Sequence, residues 1–304
     1  MKRAWYPILV AVFWAVSTGW LVAAKILPSL SAGAAPAAQA LHLAEGRPVP
    51  VAWTLLVDDE PHGWSTSRAE RAADGSMRVG SLLHLDELPI GDLIPSWSRL
   101  LLGGSVPAAT VLSLEARGSM EIDAAGRLES FTSTVELPGE GRIDLTGRVE
   151  GGDVTIVVSA GDMRLTTTRA LPDGLVFGDE FSPGATLPDL VPGRTWTMPV
   201  YGPLRPGNAP LEILHAEVGE DTTIVHDGRL AEVNVVTLRD DPSSPREPRA
   251  RQWVERRTGR VLRQEVTTMG RRLAFVRRDD AEAERLATSI APPSAAGASA
   301  GASP

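Results

Sequence analysis

Val51-Ala-Trp-Thr-Leu-Leu-Val57, then Asp58-Asp59-Glu60-Pro61-His62-Gly63, then Trp64-Ser-Thr-Ser-Arg-Ala-Glu-Arg-Ala72 is the stretch that decides the fold class. The first seven residues are strand formers, the middle cluster is turn chemistry, and the last run alternates short polar with other side chains. Together they predict a β-hairpin. The same grammar repeats downstream: Asp74-Gly75 turns into Met77 to Leu88, and turn signals recur at Gly126, Gly139 to Gly141, Gly151-Gly152, Asp173-Gly174, Asp227-Gly228 and Gly259. The spacing predicts a mainly β protein built as an antiparallel meander or half-barrel.

A weak internal echo accompanies the repeats. Met120-Glu-Ile-Asp-Ala-Ala-Gly126-Arg127-Leu128 and Trp253-Val-Glu-Arg-Arg-Thr-Gly259-Arg260-Val261 share a strand, a turn with Gly, an Arg and a resuming aliphatic residue. Both read as hairpin tips, and they suggest two similar β units divided near the Pro- and Gly-rich stretch Pro183 to Pro192. Two short helices are expected beside the strands. Ser96 to Leu102 places Trp97, Leu100 and Leu101 on one face, after Pro95 and before Gly103-Gly104, and Asp279 to Ile290 reads as a closing helix.

The N-terminus supplies an address. An uncharged run extends from Ala4 to Ala24, with Lys2 and Arg3 before it and Lys25 after it. Its 21 residues match the roughly 20 needed to cross a bilayer as a helix, and Trp5, Tyr6, Trp14 and Trp20 lie in it. The basic residues favour a cytoplasmic N-terminus, which places the bulk outside the cytoplasm, in a periplasm-like space. The alternative is secretion after cleavage of a signal peptide, since Ala32-Gly33-Ala34 and Ala38-Gln39-Ala40 fit the small-x-small pattern. The expected organisation is therefore a transmembrane signal-anchor over 1–27 and a flexible linker over 28–50. A first β unit over 51–183 and a second with its closing helix over 184–290 follow, and then a disordered tail over 291–304.

Composition narrows the chemistry. With no cysteine there is no disulfide, thiolate nucleophile or cysteine-ligated zinc, and stability must come from the core. The net charge of -8 is uneven: Arg246 to Arg278 holds eleven Arg against three Glu. Outside the cytoplasm such a stretch would meet anionic lipid, an acidic partner or the protein's own acidic face, and no nucleic acid. Nucleophile elbows, zinc-helix motifs, phosphate loops and dinucleotide fingerprints are absent from the sequence. A Ser-x-x-Lys motif is excluded because both lysines flank the apolar run.

Two sets of candidates remain. His62 follows three acidic residues and His84 precedes Asp86 and Glu87, so His62, His84 and Asp86 could form a divalent-metal site. Against this stands the ordinary reading of solvated turns. Trp53, Trp64, Trp196 and Trp253, with Trp97 and Leu100 from the short helix, could wall an apolar pocket, or could simply anchor β cores. No cofactor is expected.

The opening Trp53-Thr-Leu-Leu-Val57 to Gly63-Trp64-Ser-Thr-Ser67 resembles bacterial extracytoplasmic β domains, some of which precede transglutaminase-like enzymes. The succession Pro192-Gly193-Arg194-Thr195-Trp196, Gln252-Trp253-Val254, Gly259-Arg260-Val261-Leu262-Arg263 and Leu273-Ala274-Phe275 resembles periplasmic half-barrels of the lipoprotein-carrier type (LolA/LolB-like). That resemblance implies a curved antiparallel sheet with a helix across its concave side and an apolar groove. It carries over no catalytic residue, and a tethered chain departs from a diffusing shuttle. The expectation is a membrane-anchored, non-enzymatic binding or scaffolding protein that holds a lipid-like ligand or an envelope protein. The alternatives are a metal-dependent hydrolase centred on His62 and His84, or a purely structural envelope spacer.

Overall fold

The computed structural model describes residues 5–21, 43–44, 47–89, 111–137, 139, 141–170, 183–201, 211–268 and 271–290. Its body is a mainly β, fully antiparallel sheet whose strands follow the turn signals of the sequence. The first meander comprises β3 (Val51–Val57), β4 (Glu60–Arg71), β5 (Met77–Pro89), β6 (Val111–Ile122), β7 (Leu128–Leu137), β8 (Gly141–Glu150), β9 (Asp153–Ala160) and β10 (Met163–Ala170). The second comprises β11 (Thr195–Tyr201), β12 (Leu211–His226), β13 (Arg229–Arg239), β14 (Ala250–Glu255), β15 (Val261–Thr268) and β16 (Arg271–Arg277). Both echoed hairpin tips are present, with Gly126 and Gly259 at positive φ, a backbone state that glycine adopts without steric cost.

The two meanders meet where β16 pairs with β3, giving, among the described residues, one continuous sheet of 14 strands in the order β10 to β3 and then β16 to β11. They also share a core. Val51, Trp53, Leu55 and Val57 of β3 pack in one cluster with Leu83 and Leu85 of β5, Trp196 of β11, Ala216 of β12, Val236 of β13 and Phe275 of β16. The stretch around Pro183 to Pro192 falls at the break between the meanders but is itself built into that core. Ala185 and Leu187 are buried in it, the Leu187 N–H donates to the Gly259 carbonyl, and Thr186 bridges to Arg260.

Alternation along β3 defines two faces. Trp53 and its neighbours form one, here the Trp53 face; Ala52 and Thr54 point to the other, here the Trp64 face. Helix α2 (Asp280–Ala287) is the expected closing helix. Its Asp279 N-cap accepts from the Glu282 N–H at 2.7 Å, and Ala283 and Ala287 are buried. Arg278 ties it over the Trp64 face, donating to Thr54 Oγ1 at 2.9 Å and pairing with Glu282 at 2.5 Å.

At the N-terminus, helix α1 (Trp5–Leu21) carries no charge, and Phe13, Trp14 and Trp20 are all exposed. Its 17 residues rise about 26 Å, and Ala4 and residues 22–24 of the expected span lie outside the described residues. Among the described residues no helix is long and apolar enough to cross a membrane. Within the expected linker, β1 (Leu43–Ala44) pairs with β2 (Arg47–Pro48). The expected helix at 96–102, with Trp97 and Leu100, and the tail at 291–304 lie outside the described residues.

Candidate functional site

The period of two separates the tryptophans. Trp53 and Trp196 lie on the Trp53 face at 0% and 2% exposure, and neither indole N–H has an acceptor. Trp64 and Trp253 are half-buried on the opposite face. There the cross-strand neighbours run Trp253, Arg263, Val276, Thr54, Trp64, His84, Glu115. The four described members of the predicted aromatic wall are therefore two pairs on opposite sides of the sheet.

On the Trp64 face the aromatic rings have charged company. His84 tilts against Trp64 with centroids 5.6 Å apart, and its Nε2 lies 3.1 Å from Asp86. Arg263 sits 5.8 Å over Trp253 and pairs with Glu265 at 2.8 Å. His62 lies on β4 near a register shift in the β3–β4 ladder, and no hydrogen bond or ion pair joins it to His84 or Asp86. Among the described residues no group of three or more His, Cys, Asp or Glu is placed to hold a metal ion.

The arginine-rich stretch turns inward on the protein's own acids. Arg251, Arg256, Arg260, Arg263, Arg271, Arg272 and Arg278 each pair with a carboxylate of this chain. Asp58 shows the effect: the Arg272 backbone N–H and the Arg271 guanidinium hold its carboxyl below the usual range. Near the β14–β15 tip a cleft of about 270 Å³ opens beside Leu187, Pro188 and Asp189. In its wall the Asn234 amide donates to Asp221 at 2.6 Å, and Arg256 pairs with the same carboxylate at 2.7 Å.

Arg277 is the residue that motif reading passed over. It lies on the Trp53 face directly opposite Trp53, at 4% exposure, with its guanidinium 5.9 Å from the Trp53 ring centroid. Its Nη1 donates to the Ala185 carbonyl at 2.9 Å and to the Val261 carbonyl at 3.4 Å, while Nη2 has no acceptor. Burial pushes its pKa down to about 10, which leaves it charged at neutral pH. The signal was present in Leu273, Phe275 and Arg277, where period two aims all three side chains at one face.

No family model matches the chain, and no curated protein matches it. It is similar to a solved structure described as a β-barrel-like protein of domain of unknown function DUF1849 from Brucella abortus. That likeness has 10% identity and a TM-score of 0.43, and covers 76% of this chain and 95% of the other. A likeness at this level carries no argument about mechanism or ligand, and it does not bear specifically on lipoprotein carriers.

Proposed function

We propose that this protein is a membrane-anchored, extracytoplasmic and non-enzymatic binding or scaffolding module. The anchor is the α1 segment, N-terminus inward, with its flanking uncharged residues. The observation that supports it is that Phe13, Trp14 and Trp20 of an uncharged helix are exposed at 70, 69 and 65%. Large apolar side chains left exposed on an uncharged helix are stable only when something apolar covers them, and a lipid bilayer is the simplest cover.

The binding part of the reading rests on the Trp53 face. Toward the β10 end its cover runs out: Leu145 and Val158 are only partly buried, and Leu165 is 63% exposed. Such a surface suits a lipid-like guest or the strand of an envelope protein added at the β10 edge. The lipoprotein-carrier resemblance favours the lipid. Native mass spectrometry of the full chain, isolated from membranes of an exporting host, tests the reading. A co-purifying mass extractable into organic solvent is expected, and recovery of the chain in the soluble fraction as bare polypeptide refutes it.

A further inference from the structure

Among the described residues the sheet ends in two margins, β10 and β11, and they are finished differently. β11 carries Pro199, whose missing N–H is a common guard of an edge strand. β10 has no Pro, Gly or bulge: Met163 to Ala170 pair residue for residue with Asp153 to Ala160. No described strand lies on its outer side, so alternate N–H and C=O groups there are left without a ladder partner. Beside that row Met163 and Leu165, on the Trp53 face, are 47% and 63% exposed. A bilayer is a poor cover for such a margin, because unpaired backbone groups are costly in hydrocarbon. An added strand pairs the backbone and shields the side chains together.

The charges of β10 decide whether a second copy fits there. Arg164 and Arg169 are the charged residues of the strand, and like charges directly opposite one another repel. A twofold axis normal to the sheet continues each face across the junction, so only residues of the same parity stand opposite. Arg164 of one copy and Arg169 of the other then project from opposite faces. Registers centred on Thr166 or Thr167 pair residues 163–169 or 164–170 of each copy. In the first, Arg164 faces the other copy's Thr168; in the second, Arg169 faces the other copy's Leu165. Each arginine is then at least about 14 Å along the strand from its symmetry mate, beyond the roughly 8 Å screening length of physiological salt. We propose that a second copy of this chain adds its β10 to this edge, antiparallel about a twofold axis. This names the partner at the β10 edge and rests on the reading above for the anchor, which confines the copies to one membrane and raises their encounter.

The chain has no cysteine, so introduced thiols report the junction without background. Thr166→Cys, Thr167→Cys and Leu230→Cys are each made in the full chain and oxidised in membranes of an exporting host. A residue on the twofold axis meets its own mate with Cα atoms about 4.5–5.5 Å apart, within disulfide reach. Leu230, 78% exposed near the tip of the β12–β13 hairpin, reports random collision. Thr166→Cys or Thr167→Cys should cross-link to a dimer at least about tenfold faster than Leu230→Cys. Native mass spectrometry of the unmodified chain should show the dimer, and Thr166→Lys with Thr167→Lys, which sets like charges across the axis, should shift it to monomer.

Equal rates at the three positions, or a dimer unmoved by the lysine pair, would overturn the β10 junction. A mass that includes a different polypeptide in place of the second copy would overturn self-pairing. A membrane-bound monomer that carries a solvent-extractable mass would overturn the dimer and leave the binding reading standing. A bare monomer in the soluble fraction would end both.

Discussion

Replacing Gly147 by Ala tests how tightly the first meander is assembled. Gly147 of β8 stands directly opposite Phe131 of β7, whose buried ring packs with Val154 and Ile156. A methyl group built at position 147 would lie 2.0 Å from Phe131 Cε1, 2.3 Å from Cζ and 2.7 Å from Cδ1. All three contacts are well inside van der Waals separation, so the ring must leave its rotamer or the strands must part. Overpacking of this kind costs about 1–3 kcal/mol, and the reduced freedom of the unfolded chain returns about 0.4–1 kcal/mol. The net loss is about 1–2 kcal/mol, or roughly 2–8 °C in Tm for a body of this size.

Urea unfolding followed by circular dichroism measures the loss, and a double-mutant cycle with Phe131→Ala assigns its cause. Phe131→Ala alone should cost about 3–5 kcal/mol. In that background the added methyl has room, so the cycle should show a coupling of at least about 1 kcal/mol. Additive effects, or an unchanged midpoint for the single Gly147→Ala variant, would refute the reasoning.

Other perturbations have equally direct readouts. Asp279→Ala removes the N-cap of α2 and should lower stability by about 1 kcal/mol in the same urea assay. Asp221→Ala leaves the buried Asn234 amide without its acceptor and should cost about 1–3 kcal/mol. The carboxyls of Asp58, Asp123 and Glu121 are all held below their ordinary values. The Arg272 backbone N–H, the Arg127 backbone N–H and the Arg78 side chain are the leading causes. A carboxylate whose pKa is lower in the folded than in the unfolded state stabilises the fold above its unfolded pKa. These contributions should therefore persist above about pH 4 and fade as pH drops through the folded values. Unfolding midpoints recorded between neutral pH and about pH 3 should show a smaller acid loss for Asp123→Asn than for the native sequence.

The antiparallel pattern was legible in the sequence because its turns are written in residues with one conformational use. Gly126, Gly151-Gly152, Asp227-Gly228 and Gly259 all adopt positive φ at or beside the predicted reversals. The closing helix was also legible in Asp279 to Ile290, of which Asp280–Ala287 is helical and Asp279 is the cap. Strand neighbours distant in the chain were not, because nothing local in Arg271–Arg277 states that it will pair with Val51–Val57. The candidate site suffered from the same blindness. Reading Trp53, Trp64, Trp196 and Trp253 as one wall ignored that odd and even positions of a strand face opposite ways, so Trp53 and Trp64 part company across the sheet. Arg277 was hidden by its neighbours, as one cation in a run of arginines that mostly find carboxylates.

The junction of β3 with β16 sets the order in which this protein can be assembled. Ribosomes deliver the strands from β3 to β10 first, yet the flank of β3 stays unpaired until a segment more than 200 residues later has emerged and β16 can pair with it. The final closure is a contact of very high sequence separation, the kind that makes folding slow. Until then the chain presents a long strand margin lined by Val51, Trp53, Leu55 and Val57, an invitation to intermolecular pairing. Biogenesis should thus depend on a holding chaperone, and a premature stop before Arg271 should leave both meanders without their seam rather than one of them intact.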